Sequence, residues 1–184
     1  MFVALDLPEE ARAAIAEWRD ELLGEATGLR PVAREALHVT LAFLGWQDEA
    51  AAGEIAAAGF ETAAGAEAPL LRPAGVKAVP PRRPRLLAMD LEDEGGRATR
   101  LQAAVAAALE AGGFYEPERR PFWPHITLAR IKKGAQVHPP ITTGSRGREP
   151  PAVIRAQALT LYRSTLRAQG ALYKPLRRLP LGDG

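Results

Sequence analysis

The sequence predicts an α+β fold built on antiparallel sheet, and three observations carry that reading. Stretches with apolar side chains at every second position alternate with stretches whose apolar residues recur at helical spacing. Many links between successive strands are too short to hold the helical crossover that a parallel pair needs. At 184 residues the chain can bury one good core, or two small lobes sharing one, and no interdomain linker interrupts residues 1–184.

Each element has its own signal. Phe2 to Leu7 reads as a first strand, ended by Pro8. Pro8, Glu9 and Glu10 open a helix whose acids sit in the first turn, where the helix dipole favours them. Ala11, Ile15, Trp18 and Leu22 give that helix an inward stripe. Leu37 to Leu44 alternates and makes a second strand, closed by Gly45, and the alanine-rich run from Asp48 to about Phe60 reads as a second helix. Leu70 to Val79 and Arg85 to Leu91 are two further strands, separated by the Pro80–Pro84 turn. The clearest helix runs from about Gly95 to Ala111, striped by Ala98, Leu101, Val105, Ala108 and Leu109 and ended by Gly112 and Gly113. Phe122 to Ile131 is another strand, and Lys132 to Pro151, rich in Gly, Pro, Thr and basic residues, is expected to be a mobile loop. Ala152 to Leu166 and Ala171 to Leu176 close the chain as strands joined by a turn at Gly170.

Composition narrows the function classes. There are no cysteines, which excludes disulfides, thiolate metal sites and a cysteine nucleophile, and fits a cytoplasmic protein. No run of eighteen apolar residues exists, so no membrane span is expected. The opening MFVALDLPEE reaches acidic residues at once, without the basic start of a secretory signal. No Walker loop, GxGxxG or HExxH is present, so no cofactor is expected. The net charge of +2 hides an asymmetry: residues 1–60 carry four basic and eleven acidic side chains, and residues 61–184 carry twenty and eleven. A basic second part suggests an anionic ligand, with phosphate the obvious candidate; a general preference for arginine (twenty Arg against four Lys) accounts for it equally well.

The chemistry lies in a repeat. His38-Val39-Thr40-Leu41-Ala42 and His125-Ile126-Thr127-Leu128-Ala129 share one pattern, and they hold two of the chain's three histidines. Positions i and i+2 of a strand point to one face, so each His/Thr pair looks outward while its apolar neighbours look into a core. Two such strands would set two imidazoles and two hydroxyls around one small anion. Imidazole titrates near neutrality, so one ring can accept a proton while the other donates one. A single such strand is ordinarily a surface histidine and no more; two matching copies make that explanation a poor one. A zinc site from His38, His125 and His138 is the other reading, but no carboxylate stands at ligand spacing beside either motif, and no metal is expected. A non-catalytic nucleotide- or RNA-binding module would tolerate the loss of residues that are here retained in both copies.

These residues resemble the 2H phosphoesterase superfamily, and within it the RNA 2′,3′-cyclic phosphodiesterases, long called 2′-5′ RNA ligases. Phe2 to Pro8 is similar to that family's opening strand, His38 to Gly45 to its first signature, and Pro124 to Arg130 to its second. Leu161 to Leu166, with Gly170 to Tyr173 after it, is similar to its closing hairpin. The resemblance implies two pseudo-symmetric lobes, each an antiparallel sheet with helices outside, and a cleft between them. It implies metal-free hydrolysis of RNA 2′,3′-cyclic phosphate ends to 2′-phosphomonoesters, with weak reverse ligation, or the same chemistry on small nucleotides or tRNA-splicing ends.

Position by position, the resemblance makes His38 and His125 the catalytic pair and Thr40, Thr127 and Arg130 the phosphate-binding residues. Arg130 would point to the wrong face of a flat strand, so a twist or bulge must turn it. His38 is given the acid's part toward the 3′-oxygen and His125 the base's part toward water, although pseudo-symmetry leaves the two interchangeable. Phe2 and Tyr173 are candidates for base or ribose contact, while Phe43 and Trp123 read as packing. Arg82, Arg83 and Arg85, like Lys132 and Lys133, fit RNA phosphates or a solvated surface equally. RNA ends or related nucleotides are the expected partners of a monomer.

Overall fold

The computed structural model describes residues 1–135, 150, 152–167 and 170–182, and every structural statement refers to these. Along the chain come β1 (Phe2–Asp6), α1 (Glu9–Leu23), β2 (Leu29–Pro31), β3 (His38–Phe43) and α2 (Ala52–Glu61). After them come β4 (Leu70–Val79), β5 (Leu86–Asp93), α3 (Arg97–Ala111), β6 (His125–Ile131), β7 (Ile154–Arg155), β8 (Ala158–Arg167) and β9 (Gly170–Pro180).

All strand pairs named here are antiparallel, as the short links require. The order is β7-β4-β5-β6-β3-β1-β8-β9, with β2 added to β6. The two expected sheets are thus halves of one. Within each half the strands pair over several residues, whereas β3 and β6 meet at the single pair Val39↔Ile126. That narrow seam brings the two HxT strands side by side.

The helices cover the apolar face. Val39, Leu41, Ile126 and Leu128 share one core cluster with Ile15 and Trp18 of α1, Ile55 of α2, and Leu101, Val105 and Leu109 of α3. Burying so many large aliphatic side chains supplies the main stabilisation, roughly 1.5–3 kcal/mol apiece before chain entropy is subtracted. Gly59 lets α2 lie close on α3: a Cβ there would stand 3.1 Å from a methyl carbon of Leu109. Asp93 caps α3 by accepting from Ala98 N at 2.9 Å and Thr99 N at 2.8 Å.

Several boundaries differ from those read in the sequence. A three-residue strand, β2, forms where none was expected, because β6 offers it an edge. The single strand expected over 152–166 is two, with Ala156 N bonded to Pro69 O and Gln157 N to Asp6 O between them. α2 begins at Ala52, after a 3₁₀ turn over Glu49–Ala51 that Asp48 caps. β9 runs on to Pro180, paired with β8 throughout. Most of the expected loop, including His138, lies outside the described residues. Among the described residues no helix is long and apolar enough to cross a membrane.

Candidate active site

The seam fixes the site's geometry. In β3 and β6 alike, the residues after the histidine and after the threonine are buried, while histidine and threonine stay half-buried. Val39 faces Ile126, and in an antiparallel pair the flanking residues oppose one another on the other face. His38 is therefore set across from Thr127, and Thr40 across from His125.

Both strands then break their alternation at the same step. Thr40 pairs with Ala4 but Ala42 with Val3, leaving Leu41 as an extra residue; Thr127 pairs with Ala88 but Ala129 with Leu87, leaving Leu128 extra. Each bulge shifts the rest of its strand by one position. Phe43 and Arg130, destined for the core on a flat strand, come out exposed and line one cavity with the histidine. The turn that Arg130 requires is this bulge.

The imidazoles are held alike. His38 Nδ1 lies 2.8 Å from Ala36 O, and His125 Nδ1 lies 2.8 Å from Trp123 O. A carbonyl only accepts, so Nδ1 carries the proton on both rings and Nε2 is the atom left for chemistry. On His38, Nε2 lies 3.0 Å from Thr40 Oγ1. Their surroundings differ. Phe2 stacks on His38 at 4.9 Å and Tyr173 meets it edge-on at 5.3 Å, whereas Trp123 lies flat on His125 at 4.1 Å. Burial pushes the His38 pKa down to about 4, against the pull of Ala36 O and Asp6, and the charges of His125 and Arg130 add to the fall.

Behind each histidine stands an aspartate. Asp6 is the register partner of His38, and Asp90 that of His125. Asp6 accepts from Tyr162 OH at 2.6 Å, Thr160 Oγ1 at 2.8 Å and Arg178 Nε at 3.2 Å. Asp90 accepts from Trp123 Nε1 and pairs with Lys77. Burial works to raise the Asp90 carboxyl, but its bonds to Lys77 and Trp123, with the charges of Lys77 and His125, hold it below the usual range.

A cavity of about 1030 Å³ opens on this face, lined among others by His38, Thr40, Thr127, Arg30, Arg130 and Tyr173. His125 stands beside it rather than on its lining. A sequence model of the 2′-5′ RNA ligase superfamily matches residues 7–167.

The chain belongs to the 2′-5′ RNA ligase superfamily.

A relative from Thermus thermophilus named RNA 2′,3′-cyclic phosphodiesterase is 35% identical over 188 residues, covering 98% of this chain and 89% of that protein. A crystal structure of a Thermus thermophilus protein superposes with a TM-score of 0.77 at 32% identity, covering 97% of this chain and 96% of the other. Escherichia coli LigT complexed with 3′-AMP gives 0.73 at 26%, covering 98% and 96%.

Two aromatic residues are placed differently from the sequence reading. Phe2, named for base or ribose contact, lines the cavity but is 3% exposed, with its ring faces against His38 and, at 5.3 Å, Tyr162. Phe43, expected to pack, is 62% exposed on the cleft. Trp123 does pack, against the histidine itself. Among the described residues no group of three or more His, Cys, Asp or Glu side chains is placed to hold a metal, and His138 lies outside them.

Sequence reasoning missed four residues. Arg30, the register partner of Arg130, lines the same cavity. Trp46 stands on its rim. Asp6 and Asp90 had a signal that went unread: Ala4-Leu5-Asp6-Leu7 and Ala88-Met89-Asp90-Leu91 are a second repeat, an acid set between apolar residues in each strand.

Proposed function

We propose that this protein hydrolyses RNA 2′,3′-cyclic phosphate ends to 2′-phosphomonoesters, with His38 and His125 as its acid–base pair. One observation carries the reading: two imidazoles of one tautomer, each offering Nε2, stand on one sheet face beside two guanidiniums. Arg30 and Arg130 are cross-strand neighbours, and no described carboxylate pairs with either. Like charges set opposite one another cost stability, so their retention points to an anion that relieves the cost. By contrast Arg163, which also lines the cavity, is paired with Glu49.

The cyclic phosphate would sit against Thr40, Thr127, Arg130 and Arg30, which stabilise the charge gathering on the oxygens that neither attack nor leave. One imidazole takes a proton from water as its oxygen bonds phosphorus; the other protonates the 3′-oxygen as the P–O3′ bond breaks. Each transfer is typically worth ~10²–10⁴ in rate. A 5′-hydroxyl in place of water, with the same two proton transfers, gives the 2′-5′ joining reaction. The name of the Thermus thermophilus relative supports the RNA substrate. The 3′-AMP bound to E. coli LigT supports a nucleotide in the cleft, and with it the second reading, a small cyclic nucleotide as substrate. The absence of cysteines is compatible with work in the cytoplasm.

Burial keeps the His38 imidazole neutral at pH 7 in the free protein. For it to serve as the acid, the arriving phosphodiester must supply the countercharge, so binding draws in a proton. Calorimetric titration of a 2′-phosphate-ended oligomer at pH 7, in buffers of different ionisation enthalpy, will register that uptake. Binding with no uptake hands His38 the base's role instead.

The function itself is tested by incubating the protein with an RNA oligomer ending in 2′,3′-cyclic phosphate, in EDTA. A 2′-phosphate product is expected. RNA that is bound but unchanged makes the cleft a binding site only.

A further inference from the structure

Five large apolar side chains are well exposed among the described residues, and three of them, Phe43, Trp46 and Leu166, line the cleft that holds His38. Scattered exposed apolar groups need no explanation, but a cluster on one rim does. Trp46 is 87% exposed. Its indole packs against nothing that the core needs.

The turn beneath Trp46 is nevertheless fixed. Leu44 N donates to Met1 O at 3.0 Å, and Gln47 Nε2 donates to Leu44 O at 3.1 Å and Phe114 O at 3.3 Å. Gly45 supplies the positive φ of 66° that lets the chain reverse there. A rigid backbone carrying an unpacked indole is a preorganised platform. Phe43, two residues before Gly45, is delivered to the same rim by the bulge at Leu41.

We infer that Trp46, with Phe43 beside it, is the stacking platform for a nucleobase upstream of the terminal nucleotide, so that the cleft takes a single-stranded RNA end rather than a lone nucleotide. The inference rests on the hydrolytic function proposed above and specifies its substrate. A base has an apolar face that stacks on aromatic rings whatever its identity. The phosphates of the strand need cations close by, and Arg30 and Arg130 line the same cavity. The volume of about 1030 Å³ lies just above the range typical of small-ligand pockets, roughly 300–1,000 Å³, which leaves room beyond one nucleotide. A free mononucleotide would leave the rim uncovered.

The test compares wild type, Trp46→Ala and Trp46→Phe on two substrates, a 2′,3′-cyclic mononucleotide and a tetranucleotide ending in 2′,3′-cyclic phosphate. For Trp46→Ala, kcat/KM on the tetranucleotide should fall about tenfold or more, with most of it restored in Trp46→Phe. The mononucleotide value should change by less than about threefold. Quenching of indole fluorescence by a 2′-phosphate-ended tetranucleotide, present in wild type and diminished in Trp46→Ala, reads the contact without turnover. An unchanged tetranucleotide rate, or an equal fall on both substrates, overturns the platform while leaving the hydrolytic reading in place. Failure of wild type to cleave either substrate overturns both.

Discussion

The two walls of the cleft use one backbone device and two different linings. In each, a histidine hangs its Nδ1 on a carbonyl two residues back, an aspartate pairs with it across the sheet, and a bulge turns the fifth residue after it outward. On the first wall that residue is Phe43 and the histidine lies among Phe2, Tyr162 and Tyr173. On the second it is Arg130, and the histidine has one indole over it and an aspartate shared with a lysine. The duplicated backbone sets where each imidazole stands. The unduplicated lining on the first wall makes His38 reluctant to hold a charge.

The largest expected effect tests whether the walls are equal partners. His38→Ala and His125→Ala should each lower kcat on a cyclic-phosphate RNA by about 10²–10⁴, and the double variant should lose little more. A variant that keeps its rate removes its wall from the chemistry. Next comes Arg130→Ala, expected to cost about 10²–10³ in kcat, against a smaller loss for Arg30→Ala, seen mainly in KM. Equal losses would make the two guanidiniums a single clamp.

The lining is tested by pH. His38 has a folded-state pKa of about 4, below its ordinary 6.5, so between those values the unfolded chain binds the extra proton. The stability this represents is present above about pH 6.5 and is lost as pH falls toward 4, by up to about 3 kcal/mol. Denaturant midpoints from pH 7 to 4 should show that slope in wild type and not in His38→Ala. Asp6→Asn should move the His38 titration still lower, as read from its ring signals in NMR spectra, because the carboxylate's charge is lost. It should also destabilise the fold by about 1–3 kcal/mol, since a neutral amide now meets three donors, among them the buried Thr160 hydroxyl. The smallest effect is expected from Trp123→Phe, which keeps the ring over His125 and gives up the bond to Asp90. A several-fold fall in kcat with unchanged KM would mark that bond as positioning the second imidazole; no fall would make it packing alone.

What could be read from the chain was what repeats at short period. The HxT strands stand out because polarity alternates, and α1 and α3 because their stripes recur every three to four residues. β2 could not be read: three residues ending in proline have no period, and they become a strand only because β6 presents an edge. Arg19 belongs to the same blind spot. It sits on the buried side of α1, and its guanidinium holds the Val32 carbonyl just beyond β2. Arg30 reaches the site through that long-range pairing, 100 residues from its partner in sequence. That a twist or bulge must turn Arg130 could be read, but not which of the two or at which residue, since a bulge is a property of two strands. Phe2 and Phe43 exchanged their expected parts for the same reason: whether an aromatic ring packs or projects depends on what the neighbouring strand leaves open.

The pair Arg30 and Arg130, which no described carboxylate neutralises, also has a consequence at the bench. Any small tetrahedral oxyanion that settles between them removes their repulsion and, by mass action, stabilises the folded chain as RT ln(1 + [L]/Kd). Orthophosphate and sulfate would then act as preservatives in storage and as competitive inhibitors in assay, and both effects would fade as added sodium chloride screens the cleft.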